Sequence, residues 1–434
     1  MIKRMFSAGV IALLCSARIG AAVIDLFPGG SFGEAAENLG PGDTLIVHAG
    51  TYTHTDRISI TVQGTASATA VIKGADGEAR PVIRLGQAGH NTMEISGATY
   101  LTIEGLEITA PGMSGADGIN MKGSPSHITI ENNVIHDIAV GINYRSSMHH
   151  IVARGNEIYD TRGTGEAFYV GCHDGSCSVT DSIVERNYIH DTTLAAQGDG
   201  IEIKKNSHSN IVRDNVIHDT HYPCILLYGT GGGARNVVER NVMWNCGDVG
   251  IQVAADAILR NNIVIAGNDD AVTSEPHNGV TPANLEIINN TIIGGRICLR
   301  LSGWGGKTRM VFANNAVYCA GSRYAIGSLD GVTVSGNVFE SRPPVFRRSG
   351  YRLGRSRAHD FIDQGKLSAY PTAESSLIGA GNAAHAPADD FNGAPRSGAV
   401  DSGAYQWSDG GNPGWRVTTG FKAVPDGGKT WGGL

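Results

Sequence analysis

Through the middle of this chain, short runs of alternating apolar and polar residues each end in an asparagine and are followed by a second short apolar run. Ile128-Thr129-Ile130-Glu131-Asn132-Asn133, Ile183-Val184-Glu185-Arg186-Asn187, Asn210-Ile211-Val212-Arg213-Asp214-Asn215 and Val237-Val238-Glu239-Arg240-Asn241 are four of them. The asparagines of the series are Asn133, Asn156, Asn187, Asn215, Asn241, Asn262, Asn290, Asn315 and Asn337, spaced 23, 31, 28, 26, 21, 28, 25 and 22 residues apart. A period of two within each run argues for strands, and no run carries a helical period. A unit of this length buries its apolar face only by stacking on its neighbours, as one turn of a solenoid. Asparagine suits a sharp corner because it tolerates the left-handed backbone, and its amide can bond to the asparagines above and below. The pattern predicts an all-β, single-stranded right-handed parallel β-helix.

Segments on either side depart from the repeat. Ser31-Phe32-Gly33-Glu34-Ala35-Ala36-Glu37-Asn38-Leu39 reads as a short amphipathic helix with Ser31 as N-cap. Pro41-Gly42-Asp43 turns it into a strand over 44–48, and the helix would plug the open apolar end of the coil. The expected division is an N-terminal cap with the first turns over 23–80, the parallel β-helix over 81–342, an irregular C-terminal cap over 343–407 and a flexible Gly-rich tail over 408–434. A longer excursion is expected between Asp160 and Ser182. Residues 1–22 carry Lys3 and Arg4, an apolar stretch from Met5 to Cys15, and then Gly20, Ala21 and Ala22. This is the order of a cleaved secretory signal peptide, too short to span a bilayer, so the protein is expected to be secreted or periplasmic, with no membrane insertion.

Composition narrows the partners. A net charge of −7 over 434 residues gives no global attraction to nucleic acid or anionic membrane, so a polyanion must meet a local basic patch. Six cysteines remain after the leader, an even number that favours disulfides in an exported chain. Cys224 lies nine residues after Asn215 and Cys246 five after Asn241, while Cys298 lies eight after Asn290 and Cys319 four after Asn315. Both pairs take nearly matching places on consecutive turns, which predicts Cys224–Cys246 and Cys298–Cys319, with Cys172–Cys177 closing a small loop.

Aligning the turns puts five strands in register: Ile119-Asn120-Met121-Lys122, Ile142-Asn143-Tyr144-Arg145, Phe168-Tyr169-Val170-Gly171, Ile201-Glu202-Ile203-Lys204 and Ile225-Leu226-Leu227-Tyr228. Side chains alternate faces, so the first and third residues fill the core and the second and fourth project outward. One outer stripe then holds Asn120, Lys122, Asn143, Arg145, Tyr169, Glu202, Lys204 and Tyr228, with Asp117, Glu166 and Asp199 just ahead of their strands. This set suits β-elimination in a uronate polymer, which needs a base for the C5 proton, a cation for the neighbouring carboxylate and an acid at the leaving oxygen. Lys204 is the candidate base, Arg145 the carboxylate cation, and Tyr169 or Tyr228 the acid. Asn120, Lys122, Asn143, Glu202 and Arg235 are candidate substrate-binding residues. Apart from Ca²⁺, which Glu202, Asp199 or Glu166 could hold, no cofactor motif stands out.

The asparagine-bearing turns carry a family resemblance, together with the opening Gly40-Pro41-Gly42-Asp43-Thr44-Leu45 … Ala49-Gly50-Thr51-Tyr52 and the close Asp390-Phe391-Asn392-Gly393-Ala394-Pro395-Arg396 … Ser402-Gly403-Ala404-Tyr405. Over roughly residues 24–407 the chain resembles bacterial secreted β-helix proteins of the pectate-lyase-like superfamily, and its opening resembles the chondroitinase B and alginate lyase branch. That branch places a catalytic Lys and an Arg on consecutive turns of one face. Glu202-Ile203-Lys204 resembles the Lys-bearing strand. The next turn reads Ile225-Leu226-Leu227-Tyr228-Gly229 where the branch shows Arg and His, and Leu227 should point inward. Arg235 or Arg145 would have to supply the missing cation.

Other constellations carry less. Asn268-Asp269-Asp270 has the paired acids of an inverting hydrolase, but His277 follows only seven residues later, and the segment reads as a loop. His149-His150 and His218 with His221 could ligate a metal. Yet Ile135-His136-Asp137, Ile189-His190-Asp191 and Ile217-His218-Asp219 recur at one place in the turn, which argues a structural corner for those three histidines. His221 does not recur and is a candidate groove and catalytic residue, the next base after Lys204 together with Tyr169. The expected protein is a monomer that acts on an acidic polysaccharide as a lyase. The alternatives are a uronan C5-epimerase and a non-catalytic carbohydrate-binding surface β-helix.

Overall fold

The computed structural model describes residues 20–423, apart from 114, 268, 320, 322 and 363–366. Nearly all of the expected signal peptide, the end of the tail and Asn268 lie outside the described residues. The repeat folds into three long sheets whose strands stack in chain order. Sheet I runs from Val23–Leu26 to Thr333–Ser335 and holds the runs that end in asparagine. Sheet III, from Thr51–His54 to Tyr351–Leu353, holds the short runs that follow, and sheet II, from Ser59–Ile60 to Arg323–Ile326, closes each coil. One coil reads Ser126–Glu131 in sheet I, Val134–His136 in sheet III and Ile142–Tyr144 in sheet II, then Met148–Arg154 back in sheet I. Successive coils pair in parallel: Ile119 on Ile142, Ile142 on Phe168, Phe168 on Ile201 and Ile201 on Ile225. These columns are fully buried and form a continuous apolar interior.

The corner between sheets I and III differs from expectation in one respect. The left-handed residue is the one before each ladder asparagine: Asn132, Arg186, Asp214 and Arg240 have φ of 54°, 55°, 57° and 56°, and Gly155 has 62°. The asparagine itself turns inward. Asn187 Nδ2 donates to Asn215 Oδ1 at 3.0 Å and to Ala153 O at 3.1 Å, and Asn215 repeats this with Asn241 Oδ1 at 2.9 Å and Val184 O at 3.0 Å. The amide chain runs unbroken from Asn133 to Asn337. Corner carbonyls and N–H groups cannot all reach the strand ladder or water, so the buried amide pairs with them.

The helix forms over Phe32–Glu37, with Ser31 Oγ accepting the Glu34 N–H at 3.2 Å. Coiling begins before it: Val23–Leu26 pairs with Thr44–Val47, which pairs with Ala70–Gly74, so much of 23–80 is already stacked coil. All three expected disulfides are present, and Cys224–Cys246 and Cys298–Cys319 clamp neighbouring coils. After Phe339 the chain adds the strand Tyr351–Leu353 to sheet III and then runs back across that sheet's outer face. There Phe361, Tyr370, Phe391 and Tyr405 pack with Trp244, Ile265 and Tyr318 in a second apolar core. Residues 408–423 run against the body of the coil. Buried Lys422 donates to Asp214 Oδ1 at 2.8 Å, Arg240 O at 2.9 Å and Phe391 O at 2.7 Å. The segment lacks an apolar period, but single anchors do the fixing.

Candidate active site

Alternation along sheet II works as expected: first and third residues are interior, including Leu227, and the second residues form an outward row. In register that row reads Glu94, Asn120, Asn143, Tyr169, Glu202, Leu226 and Gln252, continuing through Thr273 to Arg300. The stripe is largely covered, however. Asn120, Asn143, Glu202, Lys204 and Tyr228 are buried, while Arg145 stays exposed.

Two loops wall in the centre of the row. Asn278-Gly279, with φ of 46° and 80°, makes a two-residue turn between His277 and Val280, whose backbones exchange two 2.9 Å hydrogen bonds. Left-handed backbone at both positions is what an Asn-Gly hairpin supplies. The turn carries His277 to Tyr228, ring centroids 5.1 Å apart, and Asn278 Nδ2 donates to Tyr228 Oη at 3.3 Å. From the other side the Cys172–Cys177 loop brings His173 edge-on to the same ring at 6.4 Å. Neither histidine was among the expected site residues. The Asn-Gly pair is the sequence signal that could have shown a tight fold-back after the strand Asp270–Ser274.

Between the loops lies a cavity of about 430 Å³. On its floor Glu166, Asp199 and Glu202 converge, one carboxylate oxygen from each lying within 4.8 Å of the others. Glu202 Oε1 accepts from Tyr228 Oη at 3.0 Å and from Lys204 Nζ. The Lys204 ammonium also sits over the Tyr169 ring at 4.3 Å and the Tyr228 ring at 5.3 Å. No hydrogen bond of ordinary geometry reaches either oxygen of Glu166, Asp199 Oδ1 or Glu202 Oε2. Burial, reinforced by the Glu202 and Glu166 charges, raises the Asp199 carboxyl well above its ordinary range, and burial followed by Glu202 raises Glu166. Burial pushes Tyr169 up to about 12 and raises Tyr228 further, with Glu202 adding in both cases. Burial lowers His277 from 6.5, which favours its neutral ring near neutral pH. Four unsatisfied hard oxygen atoms on three carboxylates match a Ca²⁺-type cation better than a soft metal.

The remaining expected residues scatter. Asn120 and Asn143 both donate to Asp117 Oδ2, at 2.8 and 2.9 Å, and Lys122 pairs with Glu94 at 2.5 Å. Arg145 lies two coils from Lys204, close enough for its charge to act on Asp117 and Tyr169. His221 is exposed, bonds Ala195 O at 2.6 Å and does not line the cavity, where Tyr222 and Pro223 stand instead. Arg235 leads into the sheet I strand Asn236–Glu239 and pairs with Glu286 at 2.6 Å, so it cannot replace an arginine of sheet II. Asp270, read as loop, starts a sheet II strand and pairs with Arg296 at 2.8 Å and Arg300 at 2.9 Å. His136, His190 and His218 fall on sheet III, each bonded to the aspartate that follows it. His149 and His150 bond each other at 2.7 Å on sheet I, outside the cavity.

Family models for a right-handed beta helix region and for NosD, a periplasmic copper-binding protein, match residues 83–235 and 178–349 respectively. No curated protein matches the sequence. Pectate lyase Pel9A is similar over 90% of this chain and 98% of its own, at 15% identity and a TM-score of 0.55. The PL6 family alginate lyase AlyGC is similar over 92% of this chain and 60% of its own, at 15% identity and a TM-score of 0.53. XylC, solved in complex with xylose, is similar over 88% and 98%, at 12% identity and a TM-score of 0.60. At these identities the likeness is one of fold.

Proposed function

We propose that this chain, a right-handed parallel β-helix of the pectate-lyase-like superfamily, binds an acidic polysaccharide along sheet II and cleaves it by β-elimination in the cavity beneath His277. The observation that carries the proposal is the meeting of a neutral histidine, an ammonium, two tyrosines and a buried carboxylate cluster in one cavity. His277 is the base for the C5 proton. Lys204 was the base expected from sequence, but its Nζ is engaged as a donor to Glu202. Lys204 and exposed Arg145 instead answer the uronate carboxylates, Arg145 through its planar fork. Tyr228, whose hydroxyl is steered by Glu202 and Asn278, supplies the proton to the leaving oxygen.

Ca²⁺ fits the same centre: Glu166, Asp199 and Glu202 would hold it, and the orphaned oxygens are its donors. Bound there, the ion would add positive charge beside the substrate carboxylate. Export to the periplasm or beyond accords with the three disulfides, and among the described residues no helix is long and apolar enough to cross a membrane.

The test is incubation with a panel of uronate polymers, following the ultraviolet absorbance of the unsaturated product. Absorbance that disappears in His277→Ala supports the lyase. Proton exchange at C5 without unsaturation would make the protein an epimerase, and binding without either would make it a carbohydrate-binding β-helix. Absence of binding to every acidic polymer overturns the proposal.

A further inference from the structure

The groove on sheet II is electrically lopsided about the cavity. On the N-terminal side Arg57 and Lys122 share the single carboxylate of Glu94, at 3.6 and 2.5 Å, and Arg145 projects with no ion pair among the described residues. That half carries surplus positive charge. On the C-terminal side Asp248, Asp269, Asp270 and Glu275 cluster about Arg296 and Arg300, and Asp270 engages both guanidiniums. Four carboxylates against two cations leave this half net negative. Burial, followed by a neighbouring aspartate, raises both Asp248 and Asp269.

The outward row changes character at the same point. Beyond Glu202 it continues as Leu226, Gln252 and Thr273. Gln252 lies two coils past Glu202, on the order of 10 Å at the usual spacing of parallel strands. It and Asp248 both line the cavity. Thr273 is 2% exposed, and its hydroxyl has no hydrogen-bond partner. A neutral amide and a hydroxyl on adjacent coils, with an apolar leucine on the coil before them, suit sugar hydroxyls and ring faces. A carboxylate placed there would meet the Asp248 carboxylate, and like charges at close quarters weigh against binding.

Resting on the acidic-polysaccharide reading above, we infer that the subsite beside Asp248 and Gln252 takes a sugar without a carboxylate, so that the substrate class is a heteropolymer in which uronates are separated by neutral or N-acylated sugars. Uronates then fall at the Arg145 side and at the centre, and the intervening sugar falls on the Asp248 side. Arg296, whose side chain is 60% exposed, is placed to meet the next uronate along.

Binding measured calorimetrically at low salt tests this, in a His277→Ala background so that no cleavage intervenes. The probes are oligogalacturonate, in which every sugar is acidic, and hyaluronan oligosaccharides of equal length, in which uronate alternates with N-acetylhexosamine. The alternating oligosaccharide should bind at least about tenfold more tightly. Asp248→Asn with Asp269→Asn should close that gap to about threefold or less by strengthening oligogalacturonate binding. Equal affinity for the two probes, or a gap that the double variant leaves unchanged, overturns the inference while the acidic-polysaccharide reading stands. Failure of both probes to bind overturns the inference, and the panel of uronate polymers then decides the acidic-polysaccharide reading.

Discussion

Ca²⁺ should raise the melting temperature of this protein near pH 8 and leave it almost unchanged near pH 4, and the cavity floor sets both the sign and the size. Glu166, Asp199 and Glu202 against Lys204 alone leave two negative charges in a buried cluster. Without a cation, burial and mutual repulsion raise Asp199 and Glu166, so the folded protein binds protons there that the unfolded chain has released. Stability from these groups is complete below the ordinary carboxylate range, around pH 4, and is lost as pH rises through the raised folded values. A bound divalent ion removes that loss by making the deprotonated cluster the favoured state. At a Ca²⁺ concentration about a hundredfold above Kd, binding contributes about 2.7 kcal/mol. With an unfolding entropy of about 2.1 cal/mol/K per residue over roughly 400 residues, the shift is about 3 °C. Glu166→Gln keeps the shape and removes one charge. In chelator near pH 8 it should melt above the parent protein, and its Ca²⁺ increment should fall below about 1 °C. The assay is thermal unfolding by circular dichroism in excess Ca²⁺ or chelator across this pH range. An equal Ca²⁺ increment in parent and variant, or one as large near pH 4 as near pH 8, refutes the reasoning.

Three other outcomes are expected. His277→Ala should lower kcat at least about a hundredfold, and the acidic limb of the parent kcat/KM profile should fall below 6.5, because burial lowers that ring; a limb above that value would move the base elsewhere. Lys204→Ala should reduce kcat/KM about 10- to 100-fold through loss of a charge-assisted contact, whereas Lys205→Ala, beside Gly175 of the disulfide loop, should stay close to the parent; matching losses in steady-state assays would show only a general charge effect. Asn215→Ala leaves the Val184 carbonyl and the Asn187 N–H without their amide partner inside the coil, costing roughly 2–5 kcal/mol, while Gln87→Ala on the surface should cost under about 0.5 kcal/mol; equal denaturant midpoints would deny the ladder its role.

What the sequence determined by itself is whatever depends on place within the repeat. Alternation assigned Ile201, Ile203 and Leu227 to the interior, and matching offsets paired Cys224 with Cys246 and Cys298 with Cys319. The same arithmetic put Glu166, Asp199 and Glu202 on neighbouring coils, because register between stacked parallel strands carries sequence offsets directly into space. The ladder of asparagines was legible for that reason too, although the left-handed backbone falls on the residue before each one. Tertiary structure alone decided what the loops do, since their lengths vary and no period governs where they land. It brought His277 and His173 over Tyr228, sealed a stripe that alternation could only call outward, and tied Lys204 to Glu202. It also left His221 and Arg235 away from the cavity and pinned the Gly-rich segment through Lys422. Each of these turns on contacts between residues distant in the chain, and a buried charge or a loop-borne ring acquires its chemistry only from the partners that folding brings to it.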